Sequence, residues 1–495
     1  MPTTLTTPHA TSAPSAAEEG VAFPEIDGAR PTTPTNRSIF ADAAAPVDPP
    51  LAERIRATRD WRKEYLTHVR ALTAASGADA RASLAIAEAG LASMHRRLVV
   101  DRDGRALSLS DAVAAGGRDR DRLGLGRIEG TGPRESELSV PYRGSPLRGA
   151  ALLAQLDRWV AGGIVEPSFA AAIRRVVEHP EWLALPGRRV ALVGAGAEMS
   201  PLEPLSRWGA DVVALDVPQP AVWERIGTVA RGGAGPLTFP AAPDGRPGLD
   251  LLRALPEARA FLEAASPGQD LVLGMYAYAD GGAHVRLSAA FDALAGHFLA
   301  DRPRTALAYL ATPTDAFVVP DEVVADARAR YAGRGVARVL QAPVRRAARG
   351  ALFAPAYADG GRVADVLVEQ QGPNYALAKR LQRWRGVLAE RERRTVSFNV
   401  APAAMTRSVT KNRVLAAAYR GAGRFGVEIF APATCRALMA ALLVHDVHRS
   451  RPPRRHPEEL FSEAAAHGGL WRAAYEPRSV LGLAALLGLA RLGRR

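Results

Sequence analysis

The chain has 495 residues, of which 47% are apolar and 23% are charged, a composition that suits a globular protein with a large core and two or more domains. The formal net charge is +13, but the arginines are dispersed, aromatic residues are not interleaved with them and no nucleic-acid-binding motif is present, so the charge does not indicate a nucleic-acid partner. The single cysteine, Cys435, excludes an internal disulfide and fits a reducing compartment, so we predict a cytoplasmic protein.

The N-terminal third is predicted to be a tail followed by helices. Residues 1–48 are rich in proline, serine, threonine and alanine, which favours a disordered tail, and they lack the basic region and apolar core of a secretory signal. In residues 49–185, apolar side chains recur at helical spacing, and further helices are predicted at 147–161 and 167–178. We expect a helical N-terminal region that packs against an α/β domain.

From residue 189 the pattern changes to short apolar runs that alternate with helical segments, which is typical of a parallel sheet with helical crossovers. We therefore predict an α/β domain over residues 186–450. A helix at 432–444 should cover the sheet. The predicted strands are 190–194, 211–216, 237–240, 270–276, 305–311 and 395–400.

Two glycines follow the first of these strands. Gly194 and Gly196 form a turn after an apolar run, and the next strand ends at Asp216, 22 residues after Gly194. In a dinucleotide-binding unit, such a turn lets the backbone approach a pyrophosphate, and the acid accepts the ribose hydroxyls. A carboxylate there favours NAD over NADP because it repels a 2′-phosphate, and it would suit S-adenosylmethionine equally well. A tight turn between strand and helix, without a ligand, is the structural alternative.

Residues 320–372 form an insertion rich in alanine and arginine, which we predict to fold over the carboxyl ends of the strands, where open α/β sheets bind ligands. After it, Tyr375 and Lys379 stand at i, i+4 and share one helix face. The chain has three lysines against 61 arginines, so a retained lysine indicates a site where a compact ammonium is needed. An amphipathic helix that carries the pair by chance is the alternative.

Residues 451–495 are predicted to be a C-terminal helical tail. Its apolar stretch, from Val480 to Ala490, has 11 residues, too few to span a bilayer, so no transmembrane segment is expected. Docking on the core is favoured, and contact with a membrane surface beside the basic flank is the alternative. His445 and His448 are the one close histidine pair. Because no further ligands accompany them, they are expected on the surface, and no metal is predicted.

Three segments, in this order, resemble the short-chain dehydrogenase/reductase family. The stretch VALVGAGAEMSPLEPLSRWGADVVALD is similar to the family's first strand, glycine turn, helix and second strand, YALAKRLQRW to its catalytic helix, and VSFNVAPAAMT to its following strand and Pro-Gly loop. The resemblance covers roughly residues 186 to 445. It implies a Rossmann-type α/β fold: a doubly wound parallel sheet, here with a helical N-terminal region and a helical insertion.

The resemblance also implies roles for individual residues. Tyr375 would exchange a proton with the carbonyl or hydroxyl oxygen of the substrate, and Lys379 would lower the pKa of that phenol and hold the nicotinamide ribose. Thr312, with Thr314 as an alternative, would be the third catalytic member. The cofactor would be NAD, bound by Gly194, Gly196, Asp216, Pro402 and Thr406.

The chain also departs from the family pattern. Val193 replaces a threonine, Glu198 and Ser200 stand where later glycines belong, and Ala403 replaces the glycine of the Pro-Gly loop. The helix asparagine that completes the family's proton relay has no counterpart. These changes favour a non-catalytic relative with a binding or scaffolding role as one alternative. An S-adenosylmethionine-dependent methyltransferase is another, although Leu192 stands where such enzymes usually carry an acid.

The favoured hypothesis is NAD(H)-dependent oxidation or reduction of a hydroxyl or carbonyl group on a small molecule. The sequence does not indicate which molecule, because the insertion carries no chemically distinctive pocket residue. The sequence is also compatible with a homo-oligomer.

Overall fold

The computed structural model describes residues 19–117, 123–349, 351–449 and 454–492. Within these ranges the strands are β1 (Gly20–Ala22), β2 (Val99–Arg102), β3 (Arg105–Ser108), β4 (Gly124–Ile128), β5 (Val140–Tyr142), β6 (Ser145–Leu147), β7 (Arg188–Val193), β8 (Asp211–Leu215), β9 (Leu237–Ala241), β10 (Asp270–Met275), β11 (Ala306–Ala311), β12 (Ala316–Val318), β13 (Val363–Asp365) and β14 (Val396–Val400).

The helices of the same ranges are α1 (Thr32–Ala44), α2 (Pro49–Ala57), α3 (Trp61–Ser76), α4 (Ala80–Arg97), α5 (Leu109–Ala114), α6 (Gly149–Gly162), α7 (Pro167–Glu178), α8 (Leu202–Trp208), α9 (Pro220–Gly232), α10 (Leu255–Ala265), α11 (Gly282–Asp301), α12 (Asp321–Ala332), α13 (Gly335–Ala347), α14 (Gly372–Arg391), α15 (Arg407–Lys411), α16 (Arg413–Gly421), α17 (Pro432–His448), α18 (Glu459–Ser462) and α19 (Pro477–Leu492).

The central sheet is mostly parallel. In the part of the chain that the structure describes, it has seven strands in the order β14-β11-β10-β7-β8-β9-β4. All pairs from β14 to β9 run parallel, and β4 is antiparallel to β9. Numbered along the chain, the parallel strands stand in the order 3-2-1-4-5-6 from the β9 side, the order of doubly wound sheets. The protein is therefore an α/β protein whose sheet is compatible with the predicted Rossmann-type fold.

The sheet is buried on both faces. Along β7, Val190 and Leu192 belong to one hydrophobic cluster, while Ala191 and Val193 belong to the other. Successive side chains of a strand point to opposite faces, so continuous apolar runs are what a sheet covered on both sides requires. This explains why each of the six predicted strands is present, with ends that differ by no more than a few residues.

Strand β4 was not predicted from the sequence. Its residues, GLGRI, are half-exposed or exposed, so they carry neither an apolar run nor a clear alternation. The strand exists because the unpaired edge of β9 supplies backbone partners along its whole length, from Gly124 opposite Ala241 to Ile128 opposite Leu237.

The predicted disordered tail over residues 1–48 is wrong for its second part. β1 pairs with β2, and α1 buries Ile39 and Phe40 completely. Burial of these two apolar side chains stabilises an ordered segment. The high proportion of proline, serine, threonine and alanine around them had favoured disorder. Residues 1–18 lie outside the described residues.

The region 49–185 is helical as predicted, but it also contains strands. Its strands β2 and β3 form a small antiparallel sheet with β1 of the preceding segment, and β5 and β6 form a hairpin. The N-terminal helices pack directly on α14, where the Trp384 ring lies against Gly90 of α4 so closely that a Cβ at Gly90 would collide with it. The region therefore supports the helix that carries Tyr375 and Lys379.

The insertion and the C-terminal segment both join the main body. Within the insertion, β13 pairs with β12, and Val366 donates its backbone N–H to the carbonyl of Asp315, 3.1 Å away, just beyond the carboxyl end of β11. The C-terminal segment joins the core, because Ala466 donates its backbone N–H to the carbonyl of Val400 of β14 and α19 packs on α16. None of the described helices has the length and apolar character needed to cross a bilayer.

Helices α16 and α19 pack backbone to backbone. A Cβ at Gly421 would collide with the carbonyl of Ala484, and one at Gly488 would collide with the carbonyl of Ala417. Small residues on both helices therefore set the distance between them, and the C-terminal helix is held at a fixed separation from the segment that follows β14.

We expect Gly488→Ala to destabilise the protein by about 1–3 kcal/mol, because the added methyl group must push α19 away from α16. Gly482→Ala is the matched control, since this glycine is in the same helix and has open space around it. That substitution should be neutral or stabilising by about 0.5–1 kcal/mol through helix propensity. Urea unfolding of both variants measures the difference. Equal free energies of unfolding would contradict the close packing.

Candidate functional site

The chemically distinctive residues meet at the carboxyl edge of the sheet. The glycine turn follows β7, Asp216 follows β8 and Thr312 follows β11, while residues 276–278 follow β10. Because neighbouring parallel strands end at the same edge, these segments lie side by side. This edge is therefore the candidate site.

Gly194 is a position where glycine is required. Its φ is +83°, in the left-handed region, and a Cβ there would collide with the backbone of Ala277. Its N–H donates to the carbonyl of Leu215, 2.8 Å away, so the turn is anchored on the end of β8. The glycine turn thus lies in contact with the segment that follows β10.

Asp216 accepts two backbone hydrogen bonds, one of which ties it to the glycine turn. Gly196 N–H donates to Oδ2 at 2.8 Å, and Val217 N–H donates to Oδ1 at 2.9 Å. Burial raises the pKa of Asp216, and these two hydrogen bonds partly offset the rise. Each carboxylate oxygen can accept more than one hydrogen bond, so Asp216 can still receive ribose hydroxyls while it holds the turn in place.

Glu198, which replaces a glycine of the family pattern, is engaged by the loop after β14. Its Oε2 accepts the backbone N–H of Arg407 at 2.9 Å, and its carbonyl accepts Nη1 of Arg436 at 3.1 Å. Thr406 directly precedes α15, and its hydroxyl shares a 2.9 Å hydrogen bond with that of Ser408. The predicted cofactor residue Thr406 is therefore next to the turn.

Pro402 is placed differently. It is buried, and its carbonyl faces the thiol of Cys435 on α17 at 3.9 Å. Cys435 itself is fully buried, and burial raises the pKa of its thiol. Pro402 thus packs against α17.

The structure brings Tyr375, Lys379 and Thr312 together. Tyr375 and Lys379 lie on α14, with the Lys379 Nζ 5.8 Å from the centroid of the Tyr375 ring. The Thr312 hydroxyl is close enough to the Tyr375 phenol to lower its pKa, and it lies 2.9 Å from the Thr314 hydroxyl. Lys379 Nζ also donates to the carbonyl of Leu310 at 3.2 Å. Residues far apart in the chain therefore form one polar cluster at the end of β11.

The environment shifts the pKa values of this cluster. Burial raises the pKa of Tyr375 above its ordinary value, although the nearby Thr312 hydroxyl opposes the rise. Burial lowers the pKa of Lys379 from its ordinary 10.5 to about 8, against the opposing charge of Asp315. Because the folded protein releases this proton more readily than the unfolded chain, the contribution of Lys379 to stability rises with pH between about 8 and 10.5.

His284 belongs to the same cluster and was not predicted from the sequence. It lies in the first turn of α11 with 1% of its surface exposed, and its ring is stacked on the Tyr375 ring at 5.5 Å with an angle of 16° between the planes. Within the described residues, neither ring nitrogen has a hydrogen-bond partner. Burial, with a smaller effect of the charge on Lys379, lowers the pKa of His284 to about 3, so its ring is neutral at pH 7.

The sequence pointed to His284 as a site residue only indirectly. The family's missing relay asparagine is expected on the helix after the fourth parallel strand, and His284 is a polar residue on that helix, α11, which follows β10. Its contact with Tyr375 depends on how α11 packs against α14, which no local pattern reveals.

The segment after β10 connects the two halves of the site. Tyr276 and Ala277 both donate their N–H groups to the carbonyl of Val193 at 2.8 Å, next to the glycine turn. Tyr278, the following residue, places its ring 6.2 Å from that of Tyr375. Tyr375 is thus separated from the glycine turn by this single segment.

The close histidine pair is not at the site. His445 is buried and bonded to Asp446 at 3.1 Å, so its predicted surface position is wrong, while His448 stacks on Trp182. In the described part of the chain, no group of three or more histidine, cysteine, aspartate and glutamate residues could hold a metal ion.

Comparison with protein-family models and with curated proteins found no match to this chain. The case for a function therefore depends on the geometry of the site.

The lowered pKa of Lys379 can be measured directly, because the chain has only three lysines. After reductive ¹³C-methylation, the NMR signal of Lys379 should titrate near pH 8. The signal of Lys63 should titrate above 10.5, because its hydrogen bond to Asp60 and the charge of Asp60 raise its pKa. Lys379→Arg assigns the signal by removing it. Titration of every lysine near or above 10.5 would contradict the buried position of Lys379.

Proposed function

We propose that the chain is an NAD(H)-dependent oxidoreductase that acts on a hydroxyl or carbonyl group of a small molecule, in the manner of short-chain dehydrogenases. The observation that carries the proposal is the cluster of Thr312, Tyr375 and Lys379 at the carboxyl end of β11. The same edge of the sheet holds the glycine turn and Asp216, so groups for proton transfer and for a dinucleotide would face one region.

Tyr375 is the proton-transferring group. Burial raises the pKa of its phenol, whereas the resemblance implies that Lys379 lowers it. The phenol is therefore protonated at neutral pH, and it would donate this proton to the oxygen of a carbonyl substrate as the hydride is transferred. The Thr312 hydroxyl, which opposes the rise in the pKa of the phenol, would stabilise the phenolate that remains. Positioned acids of this kind contribute about 10²–10⁴-fold to a rate.

The Tyr375 ring is contacted by the side chains of Lys379 and His284. With a pKa of about 8, Lys379 exists in both protonation states near neutral pH and can return a proton to the phenolate. Its charge, 5.8 Å from the ring centroid, also stabilises the phenolate. His284, stacked on the ring, fixes the orientation of the phenol.

The residues present fit a dinucleotide with an unphosphorylated ribose. Asp216 has acceptor positions beyond its two backbone hydrogen bonds, and its charge disfavours a 2′-phosphate. NAD, when bound, would supply or accept the hydride. The protein would hold the adenosine ribose at Asp216 and leave the reacting end of the cofactor toward Tyr375.

A non-catalytic role is the second candidate, and specific contacts favour it. Both oxygens of Asp216 already accept backbone N–H groups, and Glu198 places a carboxylate in the turn where the family has a glycine. If the carboxylates of Asp216 and Glu198 prevent the diphosphate of a dinucleotide from binding, the chain has retained the fold of such enzymes but has lost their cofactor site. A cofactor titration separates the two candidates.

Calorimetry should show that NADH binds more tightly than NADPH, and that S-adenosylmethionine does not bind. Asp216→Asn should weaken NADH binding about tenfold or more and reduce the preference for NADH over NADPH, since the charge is lost. Asp211→Asn is the control, because Asp211 begins the same strand and pairs with Arg189 at 2.9 Å, away from the turn. Binding of S-adenosylmethionine alone would overturn the enzyme class, and binding of no cofactor would favour the non-catalytic role.

Tyr375→Phe should lower NADH-dependent reduction of ketones at least about 100-fold, because only the proton-donating oxygen is removed. NADH binding should change by no more than about twofold, since the ring keeps its contacts. Tyr278→Phe is the matched control, because its hydroxyl bonds to Asp280 in an exposed position, and this variant should keep its turnover. A Tyr375→Phe variant as active as the original chain would remove Tyr375 from the mechanism.

A further inference from the structure

An apolar cavity of about 80 Å³ lies beside the Tyr375 cluster. It is enclosed by α16, α19, the insertion residues after β13 and the segments around residues 427 and 473. Its lining is Thr314, Val366, Val368, Ala403, Leu415, Ala418, Tyr419, Ala422, Phe425, Val427, Ile429, Leu470, Ala473, Tyr475, Pro477, Arg478, Val480, Leu481 and Ala484.

The few polar groups of this lining are mostly occupied. Arg478 is paired with Asp365 and with Glu476, and the Tyr475 hydroxyl donates to Gln341. The charges near the cavity are thus already compensated within the protein. A charged ligand would lose its hydration there without gaining a free partner, whereas an apolar group would gain from leaving water.

The cavity reaches the proton-transfer cluster through Thr314. This residue lines the cavity, and its hydroxyl lies 2.9 Å from that of Thr312, which is close enough to the Tyr375 phenol to lower its pKa. Tyr419 also lines the cavity and is near enough for its phenol to raise the pKa of Tyr375. A molecule with its apolar part in the cavity would therefore have Thr314 and Tyr419 beside it, on the side of the cavity toward Tyr375.

We propose that this cavity binds the apolar part of the substrate, and that the substrate is an uncharged, short-chain alcohol or ketone. The proposal rests on the proposed function, because it places the oxygen of the ligand on the Thr314 side of the cavity, toward Tyr375. The size follows from the volume: about 80 Å³ is roughly half of a 150 Å³ apolar cavity that accepts benzene. The close packing of α16 on α19 at Gly421 and Gly488 limits expansion of the cavity.

Saturation-transfer NMR without cofactor tests the binding of butan-2-one, pentan-2-one and hexan-2-one, with glycerol as the polar comparison. Each added methylene should strengthen binding about fourfold until the cavity is full, and glycerol should give no signal. Because the measurement needs no cofactor, its result is independent of NADH binding. If ketones bind and NADH does not, the cavity is supported as a ligand site and the proposed oxidoreductase function is contradicted. If NADH binds and ketones do not, the proposed function is supported and the cavity is contradicted as the substrate site.

Two variants locate the binding. Ala418→Leu fills the cavity and should weaken binding of pentan-2-one at least tenfold. Val414→Leu is the control on the same helix, because Val414 is 67% exposed and lies outside the lining, and it should bind as the original chain does. If Ala418→Leu does not fold by circular dichroism, Ala473→Val replaces it, with a similar loss expected. Unchanged binding in the folded filling variant, or no chain-length dependence, would overturn the proposal.

Discussion

The position of α14 over the sheet depends on a buried ionic network. Arg380 Nη2 donates to Asp315 at 2.7 Å, and Arg383 donates to Glu458 at 2.8 Å and to the carbonyl of Ala316 at 2.7 Å. These charges are almost fully buried, so removing one partner would leave the others uncompensated. The network fixes the rotation of α14 and the loop after β11. It thereby determines that Tyr375 and Lys379, on the same helix, meet Thr312.

The same helix shows why this chain uses two kinds of cation. Arg380 and Arg383 each contact more than one oxygen with their forked guanidinium groups, a geometry that lysine cannot reproduce. Lys379 instead fits a compact ammonium between the carbonyl of Leu310, the side chain of Gln382 and the Tyr375 ring. Burial can shift the pKa of an ammonium toward neutrality while guanidinium stays protonated, so the one lysine of the cluster is also the cation able to release a proton.

Thr314 joins a polar region to an apolar one. On one side its hydroxyl contacts Thr312 and accepts a hydrogen bond from Gln371 at 2.9 Å. On the other side it lines the apolar cavity under α16 and α19. An oxygen-bearing group needs polar surroundings and a hydrocarbon group needs apolar ones. At the end of β11, both kinds of surroundings meet at the single residue Thr314. The insertion and the C-terminal helix, which appear in the sequence as additions to an α/β domain, enclose the apolar side.

The sequence by itself determined the features that depend on local sterics and periodicity. Apolar runs predicted the parallel strands because a sheet buried on both faces needs them, and the i, i+4 spacing placed Tyr375 and Lys379 on one helix face. Tertiary structure alone decided the rest. β4 exists because an edge of β9 needed backbone partners, His284 reaches Tyr375 because α11 packs on α14, and Asp216 is tied to the turn by the approach of two strand ends. Such contacts join residues distant in the chain, so no window of sequence contains both partners.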